Sequence, residues 1–361
     1  MLVGGEHSPP GGQQEDTSRA IMPEWYIGLV VFLYGAVVGS FLNVLIYRLP
    51  RGLSIVKPRS HCPNCKTELR VRDLVPLLSF LWQRGKCRYC GARISWRYFW
   101  VELATGLLFW GIYWRYGWSW DTLFYVLFVA ALIAAFFIDL EHFLIPDGLN
   151  VFMLGLGIAR NAVLIAEGDP QAWVSVGGWN LPYALVGAVV CTAVFATIAL
   201  MGRVMFRKDA MGFGDVKLAR AIGSLVPLKL ALLAFAGAVA LGAVVGGLLI
   251  VFVARSQSTA NSSPSAGNAP APAPEPIGQM LLYSLALLIS LDVLLFLYDG
   301  VRGLLSPRKP VSSVEEEEFV PGLTTIPFGP YIVASIVIAL IAKPYVLAMW
   351  DAYWRWATGG G

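Results

Sequence analysis

Charge is what this sequence has least of. Asp, Glu, Lys and Arg together make up 14% of its 361 residues, against about 25% in an average soluble domain, which excludes an ordinary soluble enzyme. Net charge is nearly absent as well. The 27 Lys+Arg against 23 Asp+Glu leave +4, too little to point to nucleic acid as a partner. Residues 1–24 offer no basic region ahead of a short apolar core, so no cleavable signal peptide is expected. Cysteine is scarce: five in all, four of them in two CxxC pairs. That pattern does not resemble the disulfide framework of a small secreted protein and points first to a metal. No internal repeat of fixed period is visible. What is present is apolar: 57% hydrophobic residues, including 13 Trp, 14 Tyr and 19 Phe. Uncharged runs near or above about 18 residues recur, so the bilayer is the main solvent and lipid a partner.

Trp25 to Tyr47 carries no formal charge and is long enough to cross a hydrocarbon core of about 30 Å. The segment from Arg48 to Arg97 holds 12 of the 27 basic residues and two acids, Glu68 and Asp73. The positive-inside rule makes it cytoplasmic, in a compartment where thiols stay reduced. Further apolar runs fall at 99–115, 122–140, 148–166, 181–203, 214–232 and 234–254, and the basic cluster Arg203, Arg207, Lys208 and Lys217 then returns to the cytoplasmic side. Ser256 to Pro276 is a Ser/Ala/Pro-rich linker. The stretch 280–298 reads as an interfacial or re-entrant helix carrying an unexplained Asp292. Glu315 to Glu318 read as a solvated loop, and a last apolar helix covers 331–349. The expected fold is an all-α polytopic membrane protein of about eight transmembrane helices with a small cytoplasmic zinc knuckle. Its divisions are a polar tail (1–24), a first membrane helix (25–47), a zinc-binding loop domain (48–97), a membrane core (98–255), an insertion (256–325) and a final helix with its tail (326–361).

Cys62-Pro-Asn-Cys65 and Cys87-Arg-Tyr-Cys90 are separated by 21 residues, a spacing that lets two turns converge on one tetrahedral zinc. Four thiolates leave no open coordination position, so such a site stabilises a loop too small for a large core. His61 is a further ligand candidate, though a solvent-exposed loop histidine is the simpler reading. Cys191, alone in an apolar helix, reads as core packing.

Ionisable groups within membrane segments are costly, and each is a functional candidate. Asp139 closes the run from Phe124 to Ile138, and Asp215 sits in Met211-Gly-Phe-Gly-Asp215-Val-Lys217. Two carboxylates brought together cannot both ionise easily, so one keeps a proton while the other acts as base toward water. On pattern alone, a helix cap or interface role competes with catalysis. Gly212 and Gly214 remove side-chain bulk beside Asp215. Asp147, after Pro146, reads as a helix N-cap. Glu141 and His142 flank Asp139. Glu102 and Lys217 are supporting candidates that pair with opposite charge or lipid head groups. A proton channel or transporter would also use intramembrane acids, but the helices show no repeat around a midplane site. A thiol-redox protein is the remaining reading of the CxxC pairs.

Five ordered segments carry a resemblance: Gly39-Ser-Phe-Leu-Asn43 through Arg48-Leu-Pro50, the cysteine pairs with Asp73-Leu-Val-Pro between them, Asp139 followed by Ile145-Pro-Asp147, Gly212-Phe-Gly-Asp215-Val-Lys217-Leu, and Ile326-Pro-Phe-Gly-Pro330. Together they resemble the type IV prepilin peptidases, aspartic membrane proteases of the GxGD type in the bacterial inner membrane. The resemblance implies cleavage of the basic leader from type IV prepilins and type II secretion pseudopilins after a glycine. It makes Asp139 and Asp215 the catalytic pair and places the active site toward the cytoplasm. It also implies N-methylation of the new N-terminus by S-adenosylmethionine, although no local cofactor motif identifies the methyl donor's site. Two departures stand out: Tyr98-Phe-Trp-Val-Glu102 in place of a Tyr-Pro-Leu before the glutamate, and the long insertion before Ile326; the segment Ile326 to Pro330 is nonetheless expected to remain cytoplasmic.

Overall fold

In hydrocarbon every backbone polar group needs an internal partner, so long uncharged runs fold as helices. The computed structural model describes residues 24–206, 211–257, 277–288, 290, 292–298 and 327–358. The N-terminal tail up to residue 23, Arg207 and Lys208, most of the Ser/Ala/Pro linker, the acidic run Glu315–Glu318 and Ile326 lie outside those residues.

Helix α1 spans Glu24–Arg48. A loop domain follows, with a 3-10 turn at Val71–Asp73 and a short α2 at Leu78–Trp82. Then come α3 (Trp96–Tyr116), α4 (Trp120–His142) and α5 (Asp147–Glu167). A hairpin of β1 (Trp173–Val176) and β2 (Trp179–Pro182) leads into α6 (Tyr183–Phe206). The chain continues through α7 (Phe213–Leu225), α8 (Leu228–Gln257), α9 (Ile277–Leu288), α10 (Gly329–Ile341) and α11 (Lys343–Ala357), and 292–298 is helical as well.

Among the described residues five helices are long and apolar enough to cross a membrane: α1, α4, α5, α6 and α8. Counting α10 with α11 as one broken span makes six among the described residues, against the eight expected. The run read as two helices, 214–232 and 234–254, divides instead at Val226-Pro227. Proline pushes the preceding residue to extended backbone, and Val226 has φ −91° and ψ 137°. This leaves α7 with 13 residues, about 20 Å, too short to span. The final helix is likewise broken. Pro344 follows Lys343, and α10 and α11 meet at 94°. The stretch 280–298 is two helical pieces around Ser290, whose φ is +55°. Between α5 and α6 the two-stranded antiparallel hairpin turns at Gly177-Gly178, φ +57° and +86°, the two positive values that suit the twist of paired strands.

Helix α4 forms the centre of the bundle. Tyr125, Phe128, Leu132 and Ile138 are fully buried, and α1, α3, α5 and α10 pack around it. The short α7 lies against α5 and α6. Its closeness to α6 requires two glycines: a Cβ on either Gly187 or Gly223 would overlap the other's carbonyl oxygen. At the far end, a polar layer closes the bundle. Arg160 Nε donates to Asp121 at 2.8 Å, and its guanidinium stands 5.5 Å from the Tyr125 ring centre. The Tyr116 hydroxyl donates to the Leu340 carbonyl at 3.0 Å, and Lys343 Nζ lies 5.9 Å from the Tyr116 ring centre.

Candidate active site

At the opposite end, α4 stops one turn after Asp139. The Phe143 N–H donates to the Asp139 carbonyl at 2.9 Å, and Phe143 is left-handed at φ +54°. This helix-ending turn sends Ile145 and Pro146 back across the bundle before α5 begins. Helix α7 starts after Gly212, which is extended, and carries Asp215 in its first turn.

Ile145 lies between the segments that carry the acids. A Cβ on Gly214 would sit 3.5 Å from Ile145 Cβ, and one on Gly329 would sit 3.3 Å from Ile145 Cδ1. The Asp139 side chain is buried against Gly329, where a methyl group would overlap Oδ2. The Gly329 backbone amide faces the Asp139 carboxylate, and Oδ2 has no hydrogen-bond partner among the described residues. Asp139 and Asp215 interact electrostatically. Two acids 76 positions apart thus stand at the same end of the bundle, with Ile145 packed against both Gly214, beside Asp215, and Gly329, beside Asp139. An acceptor left open there is suited to a water or a substrate hydrogen bond.

The supporting candidates divide. Lys217 Nζ donates to Asp147 Oδ1 at 2.7 Å, which ties α7 to α5. Asp147 is the first residue of α5, and Pro146 holds the N-cap position; the expected cap is thus an ion pair. Gly212 and Gly214 flank Asp215 as expected, a Cβ on Gly212 standing 3.9 Å from Asp215 Oδ2. Glu102 is buried, but its Oε2 accepts the Leu77 N–H at 2.8 Å. It fastens the loop domain to α3, which corrects the expected pairing with an opposite charge or a lipid head group. Glu141 turns to α3, where Arg97 Nη1 donates to both its oxygens at 2.5 and 2.6 Å. Cys191 is buried in the core beside Gly223, as read. Missed in the sequence was Arg220, buried on α7 and paired with Asp292 at 2.6 and 2.7 Å. An arginine within an apolar helix requires an acid, and Asp292 was the unexplained one.

The four paired cysteines converge. Their sulfurs all lie within 4.8 Å of one another, and Cys62 and Cys90 are 3.9 Å apart. Tetrahedral zinc with Zn–S bonds of about 2.3 Å needs sulfurs about 3.8 Å apart, so the thiol set fits a metal ion. Each pair sits in the same tight turn. Cys62 N–H donates to Thr67 O and Lys66 N–H to Cys62 O; Cys87 N–H donates to Ala92 O and Gly91 N–H to Cys87 O. The hydroxyl and amide of Thr67 lower the Cys65 thiol to about 6, whereas Cys62, lowered by the Cys65 amide but raised by burial and its neighbouring thiols, ends at about 11. His61 does not join them; its Nδ1 lies 3.1 Å from the Arg59 carbonyl oxygen.

Fold and site together define a polytopic helical membrane protein with Asp139 and Asp215 at one end of its bundle and a loop whose four thiols fit a metal ion. Residues 33–116 match the family profile described as the bacterial peptidase A24 N-terminal domain, and residues 126–247 match the type IV leader peptidase family. The chain is 33% identical over 343 residues to a prepilin leader peptidase/N-methyltransferase of Myxococcus xanthus, covering 91% of this chain and 94% of that one. It is 35% identical over 223 residues to the Bacillus subtilis protein of the same name, covering 62% and 83% of the two chains. It is 38% identical over 218 residues to the type 4 prepilin-like proteins leader peptide-processing enzyme of Escherichia coli, covering 54% and 76%. No solved structure matches the chain. The chain belongs to the type IV leader peptidase family.

Proposed function

We propose that this protein is a membrane aspartic endopeptidase that removes the basic leader from type IV prepilins and pseudopilins after glycine, and then N-methylates the new terminus. The observation that carries the reading is the near full-length identity to a prepilin leader peptidase/N-methyltransferase, borne by a chain whose Asp139 and Asp215 stand at the same end of the helix bundle. In the proposed mechanism, one carboxylate is ionised and accepts a proton from water while its protonated partner donates to the scissile carbonyl. The carboxyl that took the water proton then passes it to the leaving amine, while its ionised partner takes back a proton from a hydroxyl of the collapsing intermediate, which restores the starting pair. The Gly329 amide orients Asp139, and the Lys217–Asp147 pair holds α7 against α5. S-adenosylmethionine is the methylation cosubstrate. When bound, it would supply its sulfonium methyl to the uncharged α-amine and leave as the neutral thioether, the surplus amine proton going to water; an ordinary pKa of about 7.7–8.0 leaves part of that amine uncharged at neutral pH.

The membrane is the bacterial inner membrane, with the loop domain, the catalytic end and Pro327–Pro330 toward the cytoplasm. The charge of 48–97 supports that orientation. The divisions 25–47, 48–97, 98–255, 256–325 and 326–361 serve as first helix, metal loop, membrane core, inserted segment and closing helices. Zinc fits the thiol set, and its contribution is to hold the two turns of the loop together.

The test is incubation of purified protein in detergent with a prepilin and labelled S-adenosylmethionine. Leader release and label on the mature N-terminus are expected. Asp139→Asn and Asp215→Asn should each lower cleavage at least about 100-fold; substantial proteolysis in either variant refutes the paired-acid mechanism.

A further inference from the structure

Arg220 is among the largest side chains buried in the protein, at 2% exposed, and it lies five residues past Asp215 on α7. Its guanidinium grips Asp292 with both ends, Nη1 to Oδ1 at 2.6 Å and Nη2 to Oδ2 at 2.7 Å. Nη1 also donates to the Leu287 carbonyl at 3.1 Å. Leu287 is in the last turn of α9, and Asp292 opens the helical stretch 292–298. One arginine of the α7 helix thus occupies the break between two helical pieces of the segment joining α8 to α10. It adds a second donor to the Leu287 carbonyl of the first piece, which already accepts the Ser290 N–H at 3.1 Å, and pairs with the carboxylate of the second.

Buried ion pairs of this kind add little net stability, since apolar replacements of similar volume are often as stable or more so. What they supply is register. Helix α7 is a single rod, and Arg220 lies about 7.5 Å along it from Asp215. The rod is also held by Lys217 on Asp147 and by Gly223 against Gly187. The 292–298 stretch reaches the same place from outside: Phe296 Cζ stands 3.6 Å from where a Cβ on Gly148 would be, next to Asp147.

We propose that Asp292 is a positioning residue for the hydrolysis. Through Arg220 it sets the rotation and depth of α7, and with them the aim of the Asp215 carboxylate at Asp139. The inference rests on the reading of Asp139 and Asp215 as the hydrolytic pair. It gives the segment between α8 and α10 a part in the reaction.

The experiment uses the full chain in detergent, with kcat and KM for cleavage of one prepilin measured separately and the thermal midpoint recorded for each variant. Asp292→Asn and the apolar double variant Arg220→Leu with Asp292→Leu should lower kcat about 10- to 100-fold, the cost of misplacing a catalytic group by about 1 Å. KM should stay within about twofold, and the double variant should melt no lower than wild type. Asp292→Glu, which keeps the charge, should restore most of kcat. A double variant with wild-type kcat, or one whose loss lies in KM alone, overturns the proposal, and so does an Asp292→Glu protein no better than Asp292→Asn. These failures are distinct from failure of the parent reading, which shows as cleavage surviving in Asp139→Asn or absent from wild type.

Discussion

A methyl group added to Gly329 would occupy the space of Asp139 Oδ2, so the first residue of α10 sets how closely that helix can approach the acid. Gly329→Ala should lower prepilin cleavage by at least about tenfold while circular dichroism shows the helices intact. An active variant would mean that Asp139 moves freely. Asp73 makes a different case, outside the membrane. Burial opposes its charge, but the Tyr89 hydroxyl, the Arg70 N–H and the neighbouring Arg88 and Arg72 outweigh it and hold its carboxyl below its ordinary value. A lowered folded value means its contribution is complete above the unfolded value of about 3.9 and is lost as pH falls through the folded one. Asp73→Asn should therefore destabilise the loop domain by about 1–3 kcal/mol, equally at pH 6 and pH 8, as read by thermal unfolding. A penalty that changes between those values would assign the effect to another group. At this scale the acids and cysteines were legible in the sequence because their chemistry is costly where they stand. Arg220 was not, because only the tertiary fold shows that Asp292, 72 positions away, is its partner.

Among the elements, the two cysteine turns are copies of one another, each closing a ring of backbone hydrogen bonds around its thiols. A loop of this size has little apolar core of its own. Stripping the metal with a chelator should open 48–97 to trypsin at its many basic residues while the helices stay folded; zinc content of one ion per chain before treatment and none after checks the cause. A loop that stays protease-resistant without metal would show that its hydrogen bonds suffice. The long helices were legible because a run of apolar residues in lipid has one stable form. Their breaks were hidden by averaging over windows. Pro227 and Pro344 carried the signal: Pro227 ends α7 through the residue before it, and Pro344 stands in the first turn of α11, where its missing N–H needs no partner. The hairpin at Trp173–Pro182 was missed for a similar reason: its strands have four residues each, and the Gly177-Gly178 turn was the cue.

On the scale of the whole molecule, α4 joins the two polar ends of the bundle, with Asp121 at one and Asp139 at the other. What the sequence could not supply is how α7 and α10 reach the second end, since both are short and enter from segments far apart in the chain. Their shortness also reaches the surrounding lipid. From Gly329 to Ile341, α10 measures about 18 Å before the 94° bend into α11, whereas the hydrocarbon interior of a typical bilayer is about 30 Å. On that flank a bilayer of ordinary thickness is expected to shorten or splay its acyl chains to meet α10, which would pinch the membrane near the acids. Reconstituted into phosphatidylcholine vesicles, the protein should cleave prepilin faster with short-chain than with long-chain lipid, and equal rates across chain lengths would mean that no such pinch forms.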